Sequence, residues 1–300
     1  MEEDSQFTTE LMELPDLEQY KHNLGVLIKT NMESLTQDEI HELYCKYAVF
    51  SIGRPVQISK DEINKFKFFR VRGGVAVGED IFNVGTFSYP KPQFCKENGR
   101  ANLKNKPVFY CSFNPEAAIN ESKYRASQDY FMGIWGVSLD RPLSYLQIIP
   151  YSLSNNHPLE TFIDKNDRVS IAFSRNNLPN GEHLEYLFDF ISERYTEEPY
   201  PYCLTSYLSN QMLYENKGVD CITYPSAQCE KKLMNFAFHP AFVDGNLKLM
   251  DIYKYQVIIN AEQKPTIFVS HRGEIQGEKI AWKVADENDV INLNQYFHQK

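Results

Sequence analysis

Apolar residues recur at helical spacing near the start of the chain. Between Leu17 and Leu27 they return every three or four positions, which is typical of an amphipathic helix. Thr36 and Glu39 then form a capping box ahead of a second stretch with the same spacing. Residues 1–64 are therefore predicted to form a helical amino-terminal segment.

The pattern changes to that of a β-strand at residues 66–72. Their sequence, Phe-Lys-Phe-Phe-Arg-Val-Arg, is dense in aromatic and β-branched residues and is followed by two glycines, which predicts a strand and a turn. Alternation places Arg70 on the same face as Phe66 and Phe68. An arginine on an otherwise aromatic face indicates a half-buried cleft or a sheet edge.

A strand followed by a short helix is predicted after residue 107. Residues 107–112 are apolar, and Asn114 and Pro115 supply a helix cap and a first-turn proline. Glu121 falls on this helix, one turn after two alanines. Because the neighbouring side chains are small, a ligand would have room beside the Glu121 carboxylate.

The remaining pattern mixes strands and helices without strict alternation, so the fold class is predicted to be α+β. Residues 152–182 are rich in Asn, Ser, Pro and Asp and are predicted to be surface loops around a short strand at 169–173. The other predicted strands are 143–151, 218–224, 235–238 and 247–260, and the other predicted helices are 184–195 and 202–214.

Composition and charge narrow the range of partners. The chain has 300 residues, 42% of them hydrophobic, and a net charge of −9, which repels polyanions and argues against a nucleic-acid partner. No apolar run is long enough for a signal peptide or a membrane span, so we expect a cytoplasmic protein with no membrane partner. The six dispersed cysteines are expected to be reduced and structural.

Three partial motifs carry no chemistry. His41 and Glu42 begin a zinc-protease pattern, but Cys45 stands where the second histidine is needed. The glycines at 73–78 lack the Lys-Ser/Thr of a phosphate loop, and Ser226 does not lie in a Gly-x-Ser-x-Gly elbow. We therefore predict no metal site and no hydrolase triad.

Four other segments have an order that is informative. They are a strand with an arginine, a Gly-Arg-x-Asn turn followed by a strand ending in tyrosine, a helix with a glutamate, and a Tyr-Pro-Ser-Ala segment. In this sequence the positions are Arg70, Gly99, Arg100, Asn102, Tyr110, Glu121 and residues 224–227. From about residue 65 to 240 this pattern resembles the RES domain family, although Ala101 stands where the family usually has an aromatic residue.

The resemblance implies a fold like that of ADP-ribosyltransferases, a mixed β core with flanking helices. Residues 65–260 would form this RES core, residues 1–64 a helical extension, and residues 261–300 a β-rich extension packed on the core. RES proteins act on NAD, and many are toxins held inactive by a cognate antitoxin. The resemblance therefore implies NAD as substrate, no further cofactor, and an antitoxin as a protein partner.

The residue types suit this substrate. A guanidinium grips a pyrophosphate through paired hydrogen bonds, so Arg70 is the predicted phosphate clamp and Arg100 a second candidate. Cleavage of the nicotinamide–ribose bond develops positive charge on the sugar, which the Glu121 carboxylate would stabilise. Tyr110 would offer a ring for stacking and a hydroxyl for orientation.

Ser226 is predicted to bond the nicotinamide amide or a phosphate oxygen, and Asn102 to support its turn. The predicted NAD-binding residues are Arg70, Arg100, Asn102, Tyr110 and Ser226. We thus predict catalytic roles for Glu121, Arg70 and Tyr110. Structural alternatives remain open for each residue: an ion pair between Arg70 and Glu121, a core position for Tyr110, and a capping role for Ser226.

Three functions fit these residues. NAD glycohydrolase or phosphorylase activity in a growth-inhibiting toxin is the first, and transfer of ADP-ribose to a protein is the second. The third, of a different class, is a nucleotide-binding or scaffold module without turnover. The helical amino-terminal segment is expected to pack on the core, with homo-oligomerisation and inhibitor binding as alternatives.

Overall fold

Two five-stranded β-sheets form the centre of the protein, with helices on their outer faces. The computed structural model describes residues 14–49, 55–75, 78–151, 181–216, 218–259 and 265–297. The predicted loops and short strand within 152–180 lie outside these residues. The helices are α1 (Leu17–Lys29), α2 (Gln37–Ala48), α3 (Lys60–Ile63), α4 (Pro115–Glu121), α5 (Gly181–Glu197), α6 (Cys203–Asn210), α7 (Pro240–Asn246) and α8 (Glu287–Phe297).

The strands alternate with these helices irregularly along the chain, which confirms the α+β class. They are β1 (Val56–Ile58), β2 (Lys67–Gly73), β3 (Phe109–Cys111), β4 (Asp129–Val137), β5 (Leu143–Gln147), β6 (Cys221–Pro225), β7 (Met234–Phe238), β8 (Leu247–Ile259), β9 (Pro265–Gln276) and β10 (Lys279–Val284).

The two sheets meet at one pair of edges. The first sheet has the order β1-β5-β6-β7-β3, in which only β5 and β6 are parallel, and the second has the order β10-β9-β8-β4-β2 and is antiparallel throughout. Phe69 in β2 and Ser112, just after β3, join the two edges through backbone hydrogen bonds of 2.6 and 2.9 Å. Strands β2 and β3 are therefore neighbours, although they belong to different sheets.

The helices and the two sheets form four layers, with one hydrophobic cluster at each of the three interfaces between them. Helices α1, α2, α5 and α6 pack on the outer face of the first sheet, and buried aromatic and aliphatic side chains fill the space between the sheets. Helices α4 and α8 cover the outer face of the second sheet. Representative residues of the three clusters, in that order, are Tyr20, Tyr195 and Ile222; Phe68, Trp135 and Phe236; and Ile119, Tyr253 and Leu293.

Local sequence signals are confirmed where a cap or a clear period is present. Thr36 and Glu39 form the predicted capping box of α2, and the Asn114 side chain caps α4 by accepting from the Ala117 N–H at 3.1 Å. Alternation in β2 also holds, since Phe68 faces the space between the sheets and Phe69 faces α4 and α8.

Other elements were not predicted. Strand β4 lies at the centre of the second sheet, and α8 covers that sheet near the end of the chain. Residues 56–58 form a strand inside the segment predicted to be helical, and they pair with β5. Strands β9 and β10, by contrast, lie in the carboxy-terminal segment that is predicted to be β-rich, and they continue the sheet that contains β2. Within the described ranges, no helix has both the length and the apolar character needed to cross a membrane.

Candidate functional site

A cavity of about 330 Å³ opens where the edges of the two sheets meet. Strand β2 supplies one wall and β3 another, and the end of α4 closes a third side. Its lining includes Arg70, Gly99, Arg100, Tyr110, Glu121, Lys123, Tyr202, Tyr224, Gln228 and Asn235. Four of the six residues predicted for the site therefore face one cavity, although they come from separate parts of the chain.

Glu121 is the last residue of α4, and neutral donors hold its carboxylate. Oε1 accepts a hydrogen bond of 2.6 Å from the Ser226 hydroxyl and one of 2.8 Å from Nδ2 of Asn235. Helix α4 begins at its Asn114 cap and ends one residue before Ser122, so its length places Glu121 beside β6 and β7. No cation pairs with this carboxylate in the described part of the chain.

Backbone carbonyls hold Arg70 in a fixed position. Its Nε donates to the carbonyl oxygens of Phe87 and Ser88, both at 3.2 Å, and its Nη1 donates to that of Tyr110 at 2.9 Å. The guanidinium also lies over the Phe109 ring, 5.2 Å from its centroid. These contacts fix the plane of the guanidinium and use only part of its five N–H groups.

The charge of Arg70 is not neutralised by a carboxylate within the described residues. Burial, together with the nearby charge of Arg72, lowers the pKa of Arg70 to about 10, so the side chain remains a cation at neutral pH. The structural ion pair with Glu121 does not form, since Glu121 bonds Ser226 and Asn235 instead. Arg70 and Glu121 therefore face the same cavity, and neither has an opposite charge as partner among the residues that the structure describes.

The Gly-Arg-x-Asn segment forms a tight turn that presents Arg100. The backbones of Gly99 and Asn102 bond each other in both directions, at 2.9 and 3.2 Å. Nη1 of Arg100 donates to the Tyr195 carbonyl at 2.6 Å, and its guanidinium lies 4.8 Å from the centroid of the Tyr202 ring. Arg100 is thus a second cation at the cavity, held by backbone carbonyl oxygen and an aromatic ring.

Tyr110 is anchored through its hydroxyl. The hydroxyl donates to Oδ1 of Asn102 at 2.8 Å and accepts from the Ala101 N–H at 2.8 Å, and burial raises its pKa. Since both bonds are internal, only the ring of Tyr110 is available to a ligand. Asn102 is buried beneath the turn and does not line the cavity, so the structure places it as the support of Tyr110.

Ser226 is also one layer behind the cavity wall. It is 0% exposed, and its only hydroxyl proton goes to Glu121. Its backbone N–H donates to the Leu233 carbonyl and its carbonyl accepts from Lys231, which fixes the turn before β7. The predicted direct contact of Ser226 with substrate stays a prediction, and the structure instead places the hydroxyl on the carboxylate.

The cavity is also lined by three residues that were not predicted for the site: Lys123, Gln228 and Asn235. Asn235 had a usable signal, because an amide in the otherwise apolar strand Met-Asn-Phe-Ala-Phe needs a buried hydrogen-bond partner. Lys123 follows the end of α4 in the left-handed region, at φ 48°, and no feature of the sequence marked it.

Charge at the cavity is thus distributed in an unusual way. Arg70, Arg100 and Lys123 have no carboxylate partner in the described ranges, and the Glu121 carboxylate has no cation. Arg70, Arg100 and Glu121 are partly buried, and such charges without partners cost free energy unless a ligand compensates them, whereas the exposed Lys123 is solvated. The arrangement suits a ligand with an anionic group at one end and a developing cation at the other. Among the described residues, no cluster of His, Cys, Asp and Glu could hold a metal ion.

Comparison with known families identifies one family for this chain. The family model of the RES domain matches residues 79–256, which is more than half of the chain. The match begins after Arg70 and includes the other five predicted site residues. A search of curated proteins found no match. RES domains are generally associated with NAD-related enzymatic activity. Because the family model covers more than half of the chain, the chain belongs to the RES domain family.

Proposed function

We propose that this protein consumes NAD by cleaving the bond between nicotinamide and ribose, with water or phosphate as acceptor. The observation that carries the proposal is the Glu121 carboxylate, which neutral donors hold at the wall of a cavity that also contains two arginines without carboxylate partners among the described residues. Family membership supports NAD-related chemistry, and the charges in the cavity favour this reaction within it.

The arginines account for binding of the dinucleotide. NAD carries two negative charges on its pyrophosphate, and a guanidinium binds phosphate oxygens through parallel charge-assisted hydrogen bonds. Arg70 is already oriented by three backbone carbonyls, so little side-chain entropy is lost when it binds a phosphate. Arg100 lies on the neighbouring turn and would contact the same group or the adjacent ribose.

The carboxylate accounts for catalysis. When the C1′–N bond of NAD breaks, its electron pair leaves with nicotinamide and positive charge develops on the ribose. A fixed carboxylate stabilises this charge more than it stabilises the ground state, which lowers the barrier. A water oxygen then bonds C1′ and releases its proton to solvent, or a phosphate oxygen bonds C1′ without that proton loss. Glu121 acts here through its negative charge.

The Tyr110 ring would contact nicotinamide or ribose, since its hydroxyl is used internally. Ser226 would act through Glu121 by fixing the direction of the carboxylate. We propose further that NAD loss makes the protein a growth-inhibiting toxin, and that a cognate antitoxin protein covers the cavity. Growth arrest on expression, with a parallel fall in cellular NAD, is the expected outcome.

The test uses NAD labelled separately in nicotinamide and in adenine. Purified protein should release free nicotinamide, and the adenine label should appear as ADP-ribose in water or as phosphorylated ADP-ribose when phosphate is added. Label retained on protein would instead indicate ADP-ribosyl transfer. NAD binding without nicotinamide release would indicate a binding module and would overturn the proposal. Glu121→Gln should be inactive, and Glu116→Gln, an exposed glutamate on the same helix, is the matched control.

A further inference from the structure

Asn235 is the second donor to the Glu121 carboxylate, and it lies closer to the cavity than the first. It belongs to β7, directly opposite Tyr224 of β6. Asn235 is 7% exposed and lines the cavity, whereas Ser226 is fully buried behind the wall. An asparagine in this position can touch both the carboxylate and a bound ligand.

The two donors share one carboxylate oxygen. Ser226 and Asn235 both bond Oε1 of Glu121, at 2.6 and 2.8 Å, while Oε2 makes no hydrogen bond within the described residues. Ser226 lies just after β6 and Asn235 lies in β7, so two donors that approach the same oxygen from different segments fix the rotation of the carboxylate as well as its position. The oxygen that remains for a ligand is therefore always Oε2.

The chemical type of Asn235 matters as much as its position. A lysine or arginine in its place would neutralise the carboxylate and remove the charge that stabilises a developing cation. An aspartate would have no N–H to donate and would place a second carboxylate within hydrogen-bond distance. An amide donates a hydrogen bond and adds no charge, so the full negative charge remains directed at the ligand.

We propose that Asn235 is a positioning residue of the NAD-cleaving site. It holds Oε1 of Glu121 so that Oε2 faces the ribose carbon on which positive charge develops. This inference rests on the proposed function, and it adds a residue that acts on the reaction through Glu121.

Other titratable and charged groups near α4 also influence how the reaction rate depends on pH. Strand β2, the turn at 227–229, β7 and α8 all pack against this helix, and further titratable groups share the cavity. The groups concerned are Lys67, Arg70, Arg72, Arg100, Tyr110, Cys111, Lys123, Tyr202, Tyr224, Cys229, Glu287, Asp289 and Tyr296. None of them is changed by the variants below, so a shift in the pH profile would originate at residue 235.

The decisive variant is Asn235→Asp, which keeps the shape of the side chain. Two carboxylates at this distance share a proton near neutral pH, and a protonated pair cannot stabilise the ribose cation fully. We expect kcat for nicotinamide release to fall about 100-fold at about pH 6 to 7 and to recover in part as the pH rises. KM for NAD should change less than about 3-fold, since the arginines are intact.

Asn235→Ala removes the donor without adding a charge. Because a hydrogen bond to a charged group is lost, we expect kcat to fall about 10- to 100-fold at every pH, again with little change in KM. Asn294→Asp, at an exposed position of α8, adds the same charge away from the cavity and should keep the parent kcat and pH profile. Thermal unfolding of each variant identifies any that fail to fold.

If Asn235→Asp alone fails to fold, the double variant Glu121→Gln/Asn235→Asp provides a second test of the contact. In this double variant the amide introduced at position 121 can donate to the carboxylate introduced at position 235, which restores the hydrogen bond with its direction reversed. Recovery of the unfolding temperature in the double variant supports the contact, and additive losses overturn it.

The outcomes for the parent protein separate the two proposals. An active parent whose Asn235 variants keep its kcat and pH profile overturns the positioning role alone. A parent that releases no nicotinamide overturns the proposed function, and the positioning role with it.

Discussion

Arginine and carboxylate groups occur together in two regions of this protein, with opposite arrangements. On the second sheet, Arg272 bonds Asp251 at 2.7 and 2.8 Å and Asp289 at 2.9 Å. At the cavity, Arg70 bonds carbonyl oxygens and Glu121 bonds neutral donors. The first region neutralises its charges internally, and in the second the charges have no opposite partner among the described residues.

The pKa values follow the same contrast. Although burial opposes it, the hydrogen bonds that Arg272 donates to Asp251 and Asp289 raise its pKa above the ordinary value. Burial without a carboxylate partner in the described ranges lowers the pKa of Arg70 to about 10. The pKa of an arginine thus shifts in opposite directions in the two regions, because Arg272 bonds two aspartates and Arg70 bonds backbone carbonyls.

The largest expected effect comes from removing the free negative charge at the cavity. Glu121→Gln keeps an oxygen that accepts from Ser226 and Asn235, so the fold should be retained. Nicotinamide release, measured by chromatography, should fall about 1,000-fold, because the developing ribose cation loses its counter-charge. The unfolding temperature should stay within a few degrees of the parent value. Wild-type turnover in this variant would show that the carboxylate is not used.

The second largest effect is expected at Arg70, which is compared with Arg272 by replacing each with lysine. Arg70→Lys keeps the charge but loses the planar fork, so KM for NAD should rise about 30-fold, equivalent to about 2 kcal/mol. Arg272→Lys should leave both KM and kcat unchanged, because Arg272 and its two aspartates do not line the cavity. Steady-state kinetics of the pair measures the difference, and equal effects of the two substitutions would contradict the comparison.

Gly99→Ala tests the turn that presents Arg100. A Cβ on Gly99 would meet the Tyr110 hydroxyl at 2.7 Å and would also clash with Oδ1 of Asn102. We expect a loss of about 1 to 3 kcal/mol in the free energy of unfolding, together with weaker NAD binding. Gly25→Ala is the control, since a Cβ there meets nothing within 4 Å and should stabilise α1 by about 0.5 to 1 kcal/mol. Urea unfolding compares the two.

The smallest expected effect is at Arg272, whose charge is neutralised by Asp251 and Asp289. Arg272→Met leaves Asp289 buried with a weaker partner, and because Arg272 is partly exposed we expect a loss of about 1 kcal/mol in stability. Although burial opposes it, the backbone of Asp286 and the side chain of Arg272 hold the pKa of Asp289 below its ordinary value. Their contribution is therefore present above about pH 4 and is lost as the pH falls. The difference between parent and variant, measured by thermal unfolding, should shrink toward acid pH.

Helix caps and other local features could be predicted from the sequence, whereas contacts between distant parts of the chain could not. The caps of α2 and α4 depend on residues three positions apart, so Thr36, Glu39 and Asn114 were sufficient to place them. Strand β4 is buried along nearly its whole length, and a continuous apolar run gives no alternation to recognise.

At the site, too, residues could be predicted from the sequence but their distant partners could not. Arg70, Arg100, Tyr110 and Glu121 were identified through the order of the family segments, and the structure brings all four to one cavity. The partners of Glu121 lie 105 and 114 residues further along the chain. Spacing alone cannot reveal that the Ser226 hydroxyl is directed at a carboxylate, or that an asparagine lies beside it.

The most direct test of the account is a crystal structure of the Glu121→Gln variant with NAD bound. We predict that pyrophosphate oxygens lie within hydrogen-bond distance of the Arg70 guanidinium, and that the nicotinamide ribose lies beside residue 121 and the Tyr110 ring. NAD bound elsewhere, or bound here with its ribose on the far side of the cavity from residue 121, would contradict the central claim that the unpaired charges of this cavity serve one dinucleotide.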